Sequence, residues 1–259
     1  MSQSSSIFDN ETFFLNYREL RERDDNHNVL IEQPAMAALI PDLEGKSVLD
    51  LGCGCGENCI DFVRRGARRV LGIDLSQKML EVAKTQAGDP KIEYRHMDMC
   101  DLDSLTESFD MVYSSLAFHY IEDFSALVTA IYNHLTPGGI LLFSQEHPLN
   151  TADGYFNRNE NGKPCSYTVF DYNIPGKRRV NWFVDGVEKF HRPMGHILST
   201  LAHASFIMEE VIEPTPDEWA LQKRPLLAKE WIKPCFLIVR ARADNPNNKS
   251  DQYCEVNND

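Results

Sequence analysis

Three glycines alternate with other residues at Gly52, Gly54 and Gly56, inside the stretch Val48-Leu49-Asp50-Leu51-Gly52-Cys53-Gly54-Cys55-Gly56-Glu57-Asn58-Cys59. An apolar run leads into them and a helical pattern leaves them. Glycine lets the backbone turn sharply and lets a ligand come close to the main chain. A helix that starts there points its first amides at that ligand. The same stretch holds Cys53, Cys55 and Cys59. Zinc ligands come in pairs such as C-x2-C with a second pair elsewhere. Here the spacing is C-x-C-x3-C with no second pair, and iron–sulfur clusters use other spacings. The cysteines read as small fillers between required glycines, and no metal is expected.

The rest of the chain alternates strand and helix around this loop. Strands are expected at 47–52, 68–75, 91–98, 109–115 and 139–147, with helices at 57–66, 76–87 and 122–135 between them. Ser76 has the chemistry of a helix cap. Continuously apolar strands in such alternation imply a parallel sheet covered on both faces. Helices at 8–23 and 33–40 come before it. After Pro148 the pattern changes to Asn, Gly, Asp and aromatics, with Asp185-Gly186 as a two-residue hairpin signal. A helix at 194–205 and strands at 206–213 and 234–242 complete the sheet. The division expected is a helical lid at 1–44, a nucleotide-type core at 45–147, a β-rich insertion over the substrate region at 148–192, the end of the core sheet at 193–243, and a disordered tail at 244–259.

The spacing of the glycines chooses the ligand. A dinucleotide loop reads G-x-G-x-x-G, with the third glycine placed for helix–strand packing. This loop reads G-x-G-x-G after Asp50. It resembles motif I of the class I S-adenosylmethionine-dependent methyltransferases, D/E-x-G-x-G-x-G. Gly72-Ile73-Asp74-Leu75-Ser76, His96-Met97-Asp98-Met99, the run from Phe109 to Tyr120, and LTPGGILLFSQEHP resemble the motifs that follow in that family. Including FF-x2-Y at 13–17, EHP-x3-ADG at 146–154 and KFHRP at 189–193, the chain is similar to a bacterial branch of small-molecule methyltransferases without an assigned substrate.

That resemblance implies a Rossmann-like, seven-stranded, mostly parallel α/β sheet in the order 3-2-1-4-5-7-6, with the last strand antiparallel and the β insertion as a lid. It implies S-adenosylmethionine as cofactor, with S-adenosylhomocysteine as product. The residues implied for the cofactor are Asp50, Gly52, Cys53, Gly54 and Gly56 on the loop, Asp74 for the ribose hydroxyls, Leu75 and Met79 beside the adenine, Asp98 and Met99 at its amino group and ring, Ser115 after the fourth strand, and Tyr17 on a helix that closes over the site. Arg21, on the same helix, would suit the methionyl carboxylate, but reads rather as a surface arginine.

Methyl transfer from a sulfonium needs alignment and exclusion of water. A protic acceptor also needs a base. His119, His147 and His191 are the candidates, because histidine exchanges protons near neutrality. The formal charge of −13 disfavours a nucleic-acid partner. So does the fourth strand, which ends Ser114-Ser115-Leu116-Ala117 and not in the Asn/Asp-Pro-Pro-Tyr/Phe of enzymes that methylate planar amines. The arginines at 64, 65, 68 and 69 read as a solvated helix face. No apolar run is long enough to span a bilayer, and the start lacks a basic, then apolar, leader. Cysteines without an export signal suggest free thiols in the cytoplasm. The expected partner is a small metabolite; the sequence does not set the oligomeric state. Two other readings remain open: a cofactor-binding module without catalysis, and an NAD-dependent oxidoreductase with a degenerate loop.

Overall fold

The computed structural model describes residues 6–244. Residues 1–5 of the expected helical lid and, apart from Asp244, the expected disordered tail lie outside the described residues. Helix α1 (Glu11–Glu22) begins under the side chain of Asn10, which accepts the Phe13 N–H at 3.1 Å. A π-turn at Asn28–Glu32 runs directly into α2 (Gln33–Leu39). The alternating unit follows: β1 (Ser47–Leu51), α3 (Glu57–Arg64), β2 (Arg69–Asp74), α4 (Gln77–Gln86), β3 (Ile92–His96), β4 (Phe109–Ser115), α5 (Phe124–Asn133) and β5 (Leu135–Glu146). Ser76 caps α4, its hydroxyl accepting the Met79 N–H at 3.2 Å. Asp123 caps α5 in the same way through Ala126.

Beyond β5 come α6 (Pro148–Thr151) and two hairpins, β6 (Asp153–Arg158) with β7 (Pro164–Phe170), and β8 (Gly176–Trp182) with β9 (Val184–His191). The chain ends its described part with α7 (Met194–His203), β10 (Phe206–Ile212), α8 (Glu218–Lys223) and β11 (Phe236–Ala243). The main sheet runs β10-β11-β5-β4-β1-β2-β3, with β11 antiparallel to both neighbours. This is the order 3-2-1-4-5-7-6 expected from the sequence.

Every residue of β1 is buried, as a strand covered on both faces requires. Successive residues serve opposite layers. Leu49, Leu71 and Phe143 pack with α5 and α7, whereas Val48, Val70 and Leu142 pack with α2, α3 and α4. This places the carboxyl ends of β1, β2 and β4 along one edge of the sheet, where open α/β folds bind ligands. No helix among the described residues is long and apolar enough to cross a membrane.

Two local expectations are corrected. The β8–β9 turn is not at Asp185-Gly186. It closes at Phe183, which takes a positive φ of 59°, while Asp185 and Gly186 lie within β9. The physical reason is aromatic packing: Trp182 and Phe183 stack on one another at 5.0 Å and meet Phe13 of α1 edge-on at 5.2 and 5.6 Å. That contact outweighs the local turn preference and ties the hairpin to the N-terminal helix. The second correction concerns β5, which starts at Leu135 rather than 139 and carries Pro137-Gly138-Gly139 as an irregularity in its pairing with β4.

Candidate functional site

The glycine loop is pinned at both ends. The Gly52 and Cys53 N–H groups donate to the Ile73 carbonyl at 2.9 and 3.0 Å, and Gly56 N–H donates to Cys53 O at 3.0 Å. All three glycines hold positive φ, of 73°, 56° and 85°. A Cβ on Gly52 would lie 2.8 Å from the Cβ of Ala117, and one on Gly56 only 2.1 Å from the Tyr94 hydroxyl. A Cβ on Gly54 would meet nothing within 4 Å. The space over Gly54 is therefore open, and its bare backbone faces that space.

Asp74 ends β2 beside the loop. Its Oδ2 accepts the Gly54 N–H at 2.8 Å and its Oδ1 accepts the Ser76 N–H at 2.7 Å. Burial raises its pKa, and the two amides oppose that shift. Each oxygen keeps a lone pair for a further donor. Asp50 lies underneath, wholly buried, accepting the Cys59 thiol at 3.3 Å. Its Oδ1 has no hydrogen-bond partner, and burial pushes its carboxyl up to about 7.

Above the loop is a cavity of about 920 Å³. Tyr17, Gly52, Gly54, Asp74, Leu75, Met79, Asp98, Met99 and Ser115 all line it. Asp98 also caps the turn after β3, accepting the Cys100 N–H at 2.9 Å. Cys53 lines a smaller adjoining cavity of about 140 Å³, which shares Tyr17, Gly52, Gly54 and Ser115 with the larger one. Asp50 and Gly56 line neither; they shape the loop from below and behind.

Several lining residues were not singled out from the sequence. Phe8 and Tyr120 face the larger cavity, their rings 5.9 Å apart, as do Ile121, Val187 and Phe190. Asp9 lines it too, accepting the Ser76 hydroxyl at 2.7 Å. Arg21 lines the smaller cavity instead of the open surface. Its guanidinium makes no hydrogen bond or ion pair with the described residues, and the nearby Tyr17, Glu32 and Glu57 raise its pKa against the effect of burial. The signal for Arg21 was present: it follows Tyr17 by four residues, so both share one helix face.

None of the three histidines expected as candidate bases lines either cavity. His147 caps α6: its Nδ1 accepts the Leu149 N–H at 3.0 Å, so its Nε2 carries the proton and donates to Glu213 at 2.6 Å. His191 is sealed under the insertion, with Nε2 donating to the Tyr172 carbonyl and Nδ1 accepting the Thr151 hydroxyl, both at 2.8 Å. His119 is buried behind Tyr120. Its Nδ1 accepts the Glu146 backbone N–H at 3.4 Å, and its Nε2 is 3.9 Å from the Glu146 carboxylate. Lys189 closes this cluster on Glu146.

Burial lowers the His119 pKa from 6.5 to about 4. A histidine with a depressed folded pKa stabilises the fold above its unfolded value, and that stability is lost as pH falls from 6.5 towards 4. Between pH 7 and pH 5, this one group costs the wild type about 2 kcal/mol. In His119→Gln, urea unfolding should lose that much less over the same interval. An unchanged pH dependence would refute the assignment.

The sequence model of a family described as "Methyltransferase domain" matches residues 48–139. An S-adenosylmethionine-dependent methyltransferase from Mesorhizobium loti is 37% identical, with a TM-score of 0.75 over 86% of this chain and 99% of that one. An uncharacterized protein of Haemophilus influenzae is 39% identical over 254 residues, which cover 93% of this chain and 98% of that protein.

Proposed function

Because this chain belongs to the S-adenosylmethionine-dependent methyltransferase family, S-adenosylmethionine is its cofactor, and we propose that the methyl group goes to an oxygen or nitrogen of a small metabolite held in the larger cavity. The observation that carries this reading is the extent of that cavity. Its volume of about 920 Å³ is near the top of the roughly 300–1,000 Å³ usual for small-molecule sites. Besides Asp74, Met79 and Asp98, its lining includes Tyr120, Ile121, Val187 and Phe190. That volume leaves room for a nucleoside and a small second molecule, enclosed by the β8–β9 hairpin and the N-terminal segment. A cavity of this kind does not suit a duplex, and a net charge of −13 opposes a polyphosphate chain.

The residues present fit the cofactor. Asp74 has lone pairs for two ribose hydroxyls, Asp98 for an adenine amino group, and Leu75, Met79 and Met99 offer apolar surface to the ring. The open backbone at Gly54 admits close approach, and Arg21 offers an unpaired positive charge for the methionyl carboxylate. When bound, the cofactor supplies a methyl group already activated on a sulfonium. Phe8, Tyr17 and Tyr120 then screen the site from water, which favours displacement by the positioned acceptor over hydrolysis.

The test is to incubate the protein with methyl-labelled S-adenosylmethionine and a bacterial extract, then separate small molecules from RNA and protein. Label should appear in the small-molecule fraction. Label confined to RNA or protein would sink this reading.

A further inference from the structure

Glu32 is a buried carboxylate that lines neither cavity. It ends the π-turn before α2 and is 1% exposed. Its Oε1 accepts hydrogen bonds from the hydroxyls of Ser115 at 2.8 Å and Ser144 at 2.6 Å. These serines are paired neighbours on β4 and β5. Its Oε2 is buried with no hydrogen-bond partner. An anion placed this way is costly unless positive charge comes to meet it. Burial raises its pKa, and the two serine hydroxyls and the nearby Arg21, whose guanidinium makes no hydrogen bond or ion pair with the described residues, oppose that shift.

Ser115 links this carboxylate to the site, because it lines both cavities beside Gly52 and Tyr17. A hydroxyl has one proton to donate. Ser115 gives that proton to Glu32, so towards the cavity its oxygen can only accept. A pure acceptor with a negative charge behind it suits an ammonium group, which only donates. We propose that Glu32, acting through Ser115, is the counter-charge for the ammonium of the cofactor's amino-acid group. This rests on the reading of the cavity as the S-adenosylmethionine site. Glu32 is thus a positioning residue, and with Arg21 it supplies both signs that a zwitterion requires.

The bland alternative is a structural tie between the π-turn and the two strands. Glu32→Gln separates the two, because the amide oxygen still accepts from both serines while the charge is gone. Wild type, Glu32→Gln and Ser115→Ala would each be titrated calorimetrically with two ligands. One is S-adenosylhomocysteine. The other is 5′-methylthioadenosine, the same kind of nucleoside thioether without the amino-acid group. Both variants should bind S-adenosylhomocysteine about tenfold or more weakly, as expected for a lost charge-assisted contact. Affinity for 5′-methylthioadenosine should change by less than about threefold, as expected where that contact is not made. Equal losses for both ligands would show a structural role and overturn the proposal, as would no loss for either. Failure of the wild type to bind S-adenosylhomocysteine would instead overturn the reading of the cavity, and the proposal with it.

Discussion

Asp74→Ala should weaken binding of S-adenosylmethionine by about 100-fold or more, measured by calorimetric titration. Two hydrogen bonds from ribose hydroxyls to a carboxylate are worth about 1.5–3 kcal/mol each, and every 1.4 kcal/mol is tenfold. A second loss adds to this. Asp74 also holds the Gly54 and Ser76 amides at 2.8 and 2.7 Å, so its removal frees the loop that faces the ligand. Asp74→Asn keeps one acceptor oxygen and should fall between the two. An Asp74→Ala affinity within about threefold of wild type would take Asp74 out of the site.

Gly56→Ala should cost the fold rather than the ligand. Gly56 opens α3 with φ at 85°, and an added Cβ would sit 2.1 Å from Tyr94 Oη and 3.1 Å from Ala83 Cβ. The left-handed backbone costs a non-glycine residue about 1–2 kcal/mol, and overpacking costs about 1–3 more. The expected destabilisation is about 3 kcal/mol, or a Tm lower by about 6–12 °C for a chain of this size. Adding Tyr94→Phe removes the atom nearest the new methyl and should return part of the loss. A Tm within about 1 °C of wild type would contradict close packing of Gly56 against Tyr94 and Ala83.

Much of the architecture was legible because it rests on short-range signals. The glycines at 52, 54 and 56 mark the strand–loop–helix turn, and the continuously apolar strands at 47–51 and 69–74 declare a covered parallel sheet. Asp74 and Asp98, named from the resemblance, both line the larger cavity. What stayed hidden depends on distant parts of the chain. Asp185-Gly186 has strong turn chemistry, yet the turn sits at Phe183, because Trp182 and Phe183 pack on Phe13 some 170 positions away in sequence. His119, His147 and His191 all lie close to the right edge of the sheet. Their direction is decided by Glu146, Glu213 and Tyr172, and no local pattern announces those partners. Glu32 is an ordinary helix residue in the sequence. It matters only because the N-terminal segment packs on β4 and β5, where Ser115 and Ser144 hold its buried carboxylate.

The most direct measurement is a crystal structure of the protein with S-adenosylhomocysteine. The account predicts ribose hydroxyls on Asp74, the adenine between Met79 and Met99 with its amino group at Asp98, and the amino-acid group over Gly52 with its two charges towards Arg21 and Ser115. A nucleoside bound elsewhere, or bound with Asp74 and the glycine loop left bare, would contradict it.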